Sequence, residues 1–116
     1  MKLRIKGNSL RLRLTRPEVA QVEKEGLLES QTDFGTQTFR VALAGRDEVC
    51  GLSASFQQNT ILVAASKAAL SSWAESDDVG LYGEQATSTG EALTIAVEKD
   101  FRCLDRSRAE EDDADA

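Results

Sequence analysis

The sequence predicts an α+β fold, mostly antiparallel β with two short helices, built as tandem ββαββ halves that can wrap into a small barrel. Three observations predict it. Short stretches alternate aliphatic and polar residues with period two, as strands with one buried face do. Two helix starts, each with its own capping residue, follow such paired stretches. The pattern recurs without a gap when the numbering is shifted by 51, aligning Asn8 with Asn59, Leu10 with Ile61, Leu12 with Val63, Thr15 with Ser66, Val19 with Leu70 and Val22 with Trp73.

The elements follow in chain order. Leu3 and Ile5 alternate with Lys2, Arg4 and Lys6, and Leu10, Leu12 and Leu14 alternate with Arg11 and Arg13. Between them Gly7-Asn8 suits a two-residue type II′ turn, because glycine comes first. That turn sets Ile5 opposite Leu10 and Leu3 opposite Leu12 on the core face, and Arg4 opposite Arg11 and Lys2 opposite Arg13 on the other. Thr15-Arg16-Pro17-Glu18 is a capping box with proline in the first turn, where no backbone donor is needed. Val19 and Val22 give this helix its inward stripe, and Gly26 can close it in a left-handed cap.

Strands are expected over 27–33 and 37–43, joined through Gly35, with 44–49 a polar connection. In the second half Leu52, Ala54 and Phe56 alternate with Ser53 and Ser55, Gln58-Asn59 makes a turn, and a strand spans 60–65. Ser66 caps a helix bearing Leu70 and Trp73, and strands over 79–85 and 92–99 flank a turn at Ser88-Thr89-Gly90. Trp73 and Phe56 occupy periodic positions that place both in the core. The 60–65 strand is apolar on both faces, which suits a central strand or the interface of a homodimer.

A length of 116 residues fits one domain over 1–104, followed by an acidic tail over 105–116 with no large apolar residue, expected to be disordered. The first residues lack the apolar run of a secretion signal and no stretch is long enough to cross a bilayer, so the expected address is the cytoplasm, away from membranes. Cys50 and Cys103 are then expected to be free thiols. The net charge of −6 conceals a split. Residues 1–16 carry six cations and no acid, while 105–116 carry six acids and two arginines.

That split supplies the candidate site. Lys2, Arg4, Lys6, Arg11 and Arg13 form a cationic face whose like charges oppose one another across the two strands, an arrangement that calls for an anion. One source is phosphate, from nucleic acid or another phosphate-bearing ligand, gripped by guanidinium forks. The other is the chain itself, since Thr94, Glu98 and Asp100 share one face of a strand that can lie beside the hairpin. The acidic tail is a third anion, able to compete with phosphate for the same strands.

Signs of catalysis are thin. There is no histidine, and no phosphate-cradling glycine loop, nucleophile elbow or paired-cysteine motif. No cofactor and no metal are expected; Asp100, Cys103 and Asp105 read as a strand end running into solvent. The leading expectation is a non-catalytic binding module for nucleic acid or another anion. A structural protein-interaction domain is the alternative, and a small metal- or nucleotide-dependent enzyme comes third.

Two resemblances bear on this. The run from Arg4 through Gly7-Asn8-Ser9 to Leu14, with a Pro-led helix after it, resembles the opening of the swapped-hairpin DNA-binding family that includes transition-state regulators and addiction antitoxins. The resemblance implies interleaved hairpins and places Arg4 and Arg13 where that family contacts DNA. The pattern departs in that Thr15 and Arg16 precede Pro17, and Ser55 and Ala64 stand at the corresponding places of the second half. Over nearly the whole chain, the opening, Thr15 to Val19, Asn59-Thr60-Ile61 and the close Glu98-Lys99-Asp100-Phe101-Arg102-Cys103-Leu104 resemble an uncharacterised family of small bacterial proteins. That resemblance implies a fold and no chemistry.

Overall fold

The computed structural model describes residues 1–47, 49 and 51–101, so the expectations for Cys50, Cys103 and the 105–116 tail lie outside the described residues. The first hairpin joins β1 (Lys2–Lys6) to β2 (Ser9–Leu14) in the expected register, with Leu3 opposite Leu12 and Arg4 opposite Arg11. Gly7 turns at φ 55°, as the first position of a type II′ turn requires.

Helix α1 (Arg16–Glu25) starts at Thr15, whose backbone N–H donates to Glu18 Oε1 at 2.9 Å. It ends at Gly26, left-handed at φ 76°, whose N–H donates to the Val22 carbonyl at 2.9 Å. Then come β3 (Leu27–Asp33) and β4 (Thr38–Arg46). The residues expected to begin a polar connection instead lengthen β4. Ala44 is buried, and a methyl group on Gly45 would lie 3.2 Å from both Leu70 and Lys67, so two small residues let the strand run beneath the second helix.

The second half repeats the order with β5 (Leu52–Gln57), β6 (Thr60–Ser66), α2 (Lys67–Glu75), β7 (Gly80–Gln85) and β8 (Leu93–Lys99). Its hairpin turns through Gln58 and Asn59, both at positive φ, in the type I′ manner. The Ser66 hydroxyl caps α2 by accepting from Ala69 N–H at 3.0 Å.

The strands form two four-stranded sheets, ordered β1-β2-β8-β7 and β3-β4-β6-β5. Each sheet thus takes one hairpin from each half. Hairpin partners run antiparallel, and the two central pairs, β2 with β8 and β4 with β6, run parallel. Ser9 faces Thr94 in one sheet as Thr60 faces Arg40 in the other. β6 lies in the middle of its sheet, between β4 and β5, as its two apolar faces suggested.

Between the sheets lie Leu12, Leu14, Leu43, Val63, Ile95 and Val97, all essentially solvent-free, closed at one end by Val22 of α1 and Trp73 of α2. Each such side chain stabilises the fold by roughly 1.5–3 kcal/mol through burial. No ladder joins the sheets among the described residues, so the barrel stays open. At one corner Gln85 of β7 reaches across to β5, its amide oxygen accepting from Ala54 N–H and its amide nitrogen donating to Ala54 C=O, both at 2.8 Å. At the opposite corner, between β1 and β3, Leu3 and Ile5 make no backbone bond to β3 among the described residues. No helix is long and apolar enough to cross a membrane among those residues.

Candidate functional site

The antiparallel register puts the five cations on the outer face of the first hairpin, and the parallel pairing of β2 with β8 brings acids beside them. Arg11 Nε lies 3.5 Å from Glu98 Oε1. Asp100 receives two cations, with Arg13 Nη2 3.7 Å from Oδ1 and Lys2 Nζ 3.8 Å from Oδ2. Internal carboxylates therefore balance three of the five, in the manner foreseen for Glu98 and Asp100.

Asp100 departs from the expected solvent-facing strand end. It is only 6% exposed, and its N–H donates to the Leu14 carbonyl at 2.7 Å, which carries β8 past its last ladder residue and tucks the carboxylate under β2. Among the described residues neither its Oδ1 nor Arg13 Nε completes a hydrogen bond, so the pair is coupled there by Coulomb attraction. Glu98 also accepts a hydrogen bond from the Tyr82 hydroxyl at 2.8 Å, and this bond to a carboxylate holds the phenol above its ordinary pKa.

Arg4 and Lys6 are exposed and have no carboxylate within ion-pair reach among the described residues. They stand on β1, the outermost strand of its sheet. At the open end of β1, the Met1 ammonium pairs with Glu18 of α1.

Beside this ribbon lies a feature that period-two reading placed in the core. Ile5 and Phe56, Leu10 and Ile61, and Phe39 and Leu93 line an apolar groove of about 340 Å³ between the two hairpin tips, with Ala54 and Ser55 completing its wall. Phe56 is 66% exposed and Ile5 59%, which corrects the core assignment of Phe56 while Trp73 is buried as expected. Both helices leave from the far ends of β2 and β6, so neither of them caps the tips, and Ile5 and Phe56 stay exposed among the described residues. The 51-residue shift relates Ile5 to Phe56 and Leu10 to Ile61, the signal in the sequence that points to the groove, while Phe39 and Leu93 correspond only through the registers of β4 and β8.

A second cavity, about 330 Å³ between α1 and α2, is occupied with its own contacts. Arg16 stacks on Phe101 at 4.1 Å, and Lys99 donates to the Ser76 carbonyl at 2.6 Å. No group of three metal-ligating side chains gathers among the described residues.

The model of a family of unknown function (DUF7009) matches residues 1–116. No curated protein and no solved structure matches the chain.

Proposed function

The chain belongs to that family of unknown function, and from this premise we propose that it is a non-catalytic binding module that holds a polypeptide partner against its first hairpin. The observation that carries the proposal is the open groove between Ile5 and Phe56. A paired set of apolar side chains left in water at one end of an otherwise closed core is the usual mark of an interaction surface. Covering Ile5 and Phe56 would contribute roughly 1.5–3 kcal/mol each, which offsets part of the cost of association and leaves further contacts to supply the rest.

A second reading keeps an anion on the ribbon, supported by Arg4 and Lys6 alone, because Lys2, Arg11 and Arg13 already face carboxylates. Two phosphate contacts give duplex DNA a salt slope of about −1.8, against about −4.5 for five, and the net charge of −6 opposes the approach. The geometry therefore favours a polypeptide over nucleic acid. The matching registers of the two sheets also support an origin by tandem duplication, and the composition supports a cytoplasmic site of action.

Selection from a displayed random-peptide library tests the main reading. Peptides enriched on the wild type and lost on an Ile5→Ser, Phe56→Ser double variant of unchanged melting temperature support it. Enrichment that ignores those two substitutions, or none at all, refutes it.

A further inference from the structure

The hairpin geometry leads further, to the way a partner binds and the chemistry it carries. In a hairpin with a two-residue loop, the pair flanking the loop exchanges backbone hydrogen bonds, and every second pair after it does the same. In the first hairpin these pairs are Lys6 with Ser9, Arg4 with Arg11 and Lys2 with Arg13. The N–H and C=O groups of Leu3 and Ile5 consequently point away from β2, towards the free edge of the sheet.

The second hairpin shows what such an edge accepts. There the same alternation turns Ala54 outward, and the Gln85 side-chain amide bonds both its N–H and its C=O at 2.8 Å. That is one amide docked on a strand edge as a neighbouring peptide group would be. Ala54 is the counterpart of Leu3 under the 51-residue shift. The counterpart of Gln85 is Thr32, since Thr32 faces Phe39 in one sheet as Gln85 faces Leu93 in the other, and a threonine side chain carries no amide and is too short to cross. Leu3 and Ile5 make no hydrogen bond beyond the β2 ladder among the described residues. Among the described residues, the edge closed by Gln85 in one half stands open at Leu3 and Ile5 in the other.

We infer that the open edge of β1 receives an extended polypeptide segment as an added strand, with acidic side chains over Arg4 and Lys6 alternating with aliphatic side chains that enter the groove at Ile5. This rests on the reading of the first hairpin as a protein-binding surface and specifies the partner. Strand addition supplies affinity through main-chain bonds and specificity through alternate side chains. The alternation of β1 dictates that of its guest: residues beside Leu3 and Ile5 face the groove, and residues beside Arg4 and Lys6 face the cations.

Charge selects among occupants. A second copy of β1 would set Lys2, Arg4 and Lys6 against like charges, the device by which natural edge strands refuse themselves. The same cations admit an acidic strand, so one feature serves exclusion and recognition together. Residues 105–116 of this chain carry acids but no large apolar residue, and so offer the charge without the anchor. The occupant is a separate segment that combines both.

The test titrates the ¹⁵N-labelled full chain with two capped peptides, Ac-Glu-Val-Glu-Val-Glu-Val-NH2 and its lysine analogue Ac-Lys-Val-Lys-Val-Lys-Val-NH2. The glutamate peptide is expected to slow amide hydrogen exchange at Leu3 and Ile5 while shifting the Ile5 and Phe56 resonances, and the lysine peptide to do neither. An Arg4→Glu, Lys6→Glu double variant should reverse the preference, each peptide changing about tenfold in affinity. Shifts in the groove without slowed exchange at Leu3 and Ile5 would overturn strand addition while leaving the binding surface in place. Silence of the groove towards both peptides would remove this inference, and silence in the library selection as well would remove the reading beneath it. Slow exchange at Leu3 and Ile5 in the free protein would show the edge already taken and would equally overturn the proposal.

Discussion

Replacing Gln85 with leucine keeps the volume of the side chain but removes both hydrogen bonds that join β7 to β5 at the closed corner. Each bond contributes about 0.5–1.5 kcal/mol net. Ala54 is only partly buried, so water recovers part of the loss and the expected cost is about 1–2 kcal/mol. For a domain of this size that lowers the melting temperature by roughly 4–16 °C. Circular dichroism melts measure the cost, and amide exchange locates it, because Ala54 N–H should lose protection while Leu43 and Val63 in the centre keep theirs. A Gln85→Glu variant refines the test. One carboxylate oxygen can still accept from Ala54 N–H, but the other faces the Ala54 carbonyl, so only the protonated acid can make both bonds. The folded pKa of that glutamate lies above its unfolded value, hence its contribution is present at low pH and disappears as pH rises through the folded value. Melting of Gln85→Leu within a degree of wild type, with Ala54 still protected, would refute the view that this side chain holds the corner.

Four further expectations concern single residues. Asp100→Asn leaves Lys2 and Arg13 without their shared countercharge and should cost about 1–3 kcal/mol in urea denaturation, less than a fully buried pair because both cations keep some solvent. Burial pushes the Glu18 carboxyl up, but the Met1 ammonium and the Thr15 backbone N–H outweigh it and hold the pKa below its ordinary value. The Glu18 contribution is therefore present above the unfolded pKa and lost as pH falls through the folded one, so the stability gap between wild type and Glu18→Ala should shrink between neutral pH and pH of about 3. A methyl group at Gly80 would lie 2.8 Å from both the Val97 carbonyl oxygen and the Tyr82 hydroxyl, so Gly80→Ala should displace β7 and lower stability by about 1–3 kcal/mol in thermal melts. Ultraviolet titration of the single tyrosine should show Tyr82 ionising above the ordinary phenol range in the wild type and moving back towards it in Glu98→Gln.

What could be read from the sequence was local. Gly7-Asn8 with flanking alternation fixes the register of the first hairpin to the residue, and Thr15, Pro17, Glu18 and Gly26 mark both ends of α1. These features act through a few neighbouring residues, so the chain itself carries them. The parallel pairing of β2 with β8 joins segments with no adjacent signal, and only the shared face of Glu98 and Asp100 hinted at it. The burial of Asp100 follows from that pairing and was not visible without it. Phe56 was misplaced because alternation tells which side of a strand a residue faces and says nothing of whether that side is covered. The cationic ribbon was legible as a composition, and its division into three cations facing carboxylates and two that face none among the described residues was not. That division depends on where β8 ends relative to β2, a matter of a single residue step.

The exchange of hairpins between the halves governs how the molecule can be made. Neither half completes a sheet by itself, since the strand beside Ser9 contains Thr94 and the strand beside Thr60 contains Arg40. During synthesis the leading hairpin must therefore wait, apolar face uncovered, until Leu93–Lys99 have left the ribosome. Contacts so distant in sequence slow the search and bind its steps into one cooperative event, so a chain cut between the halves should yield two fragments that fold only in each other's presence.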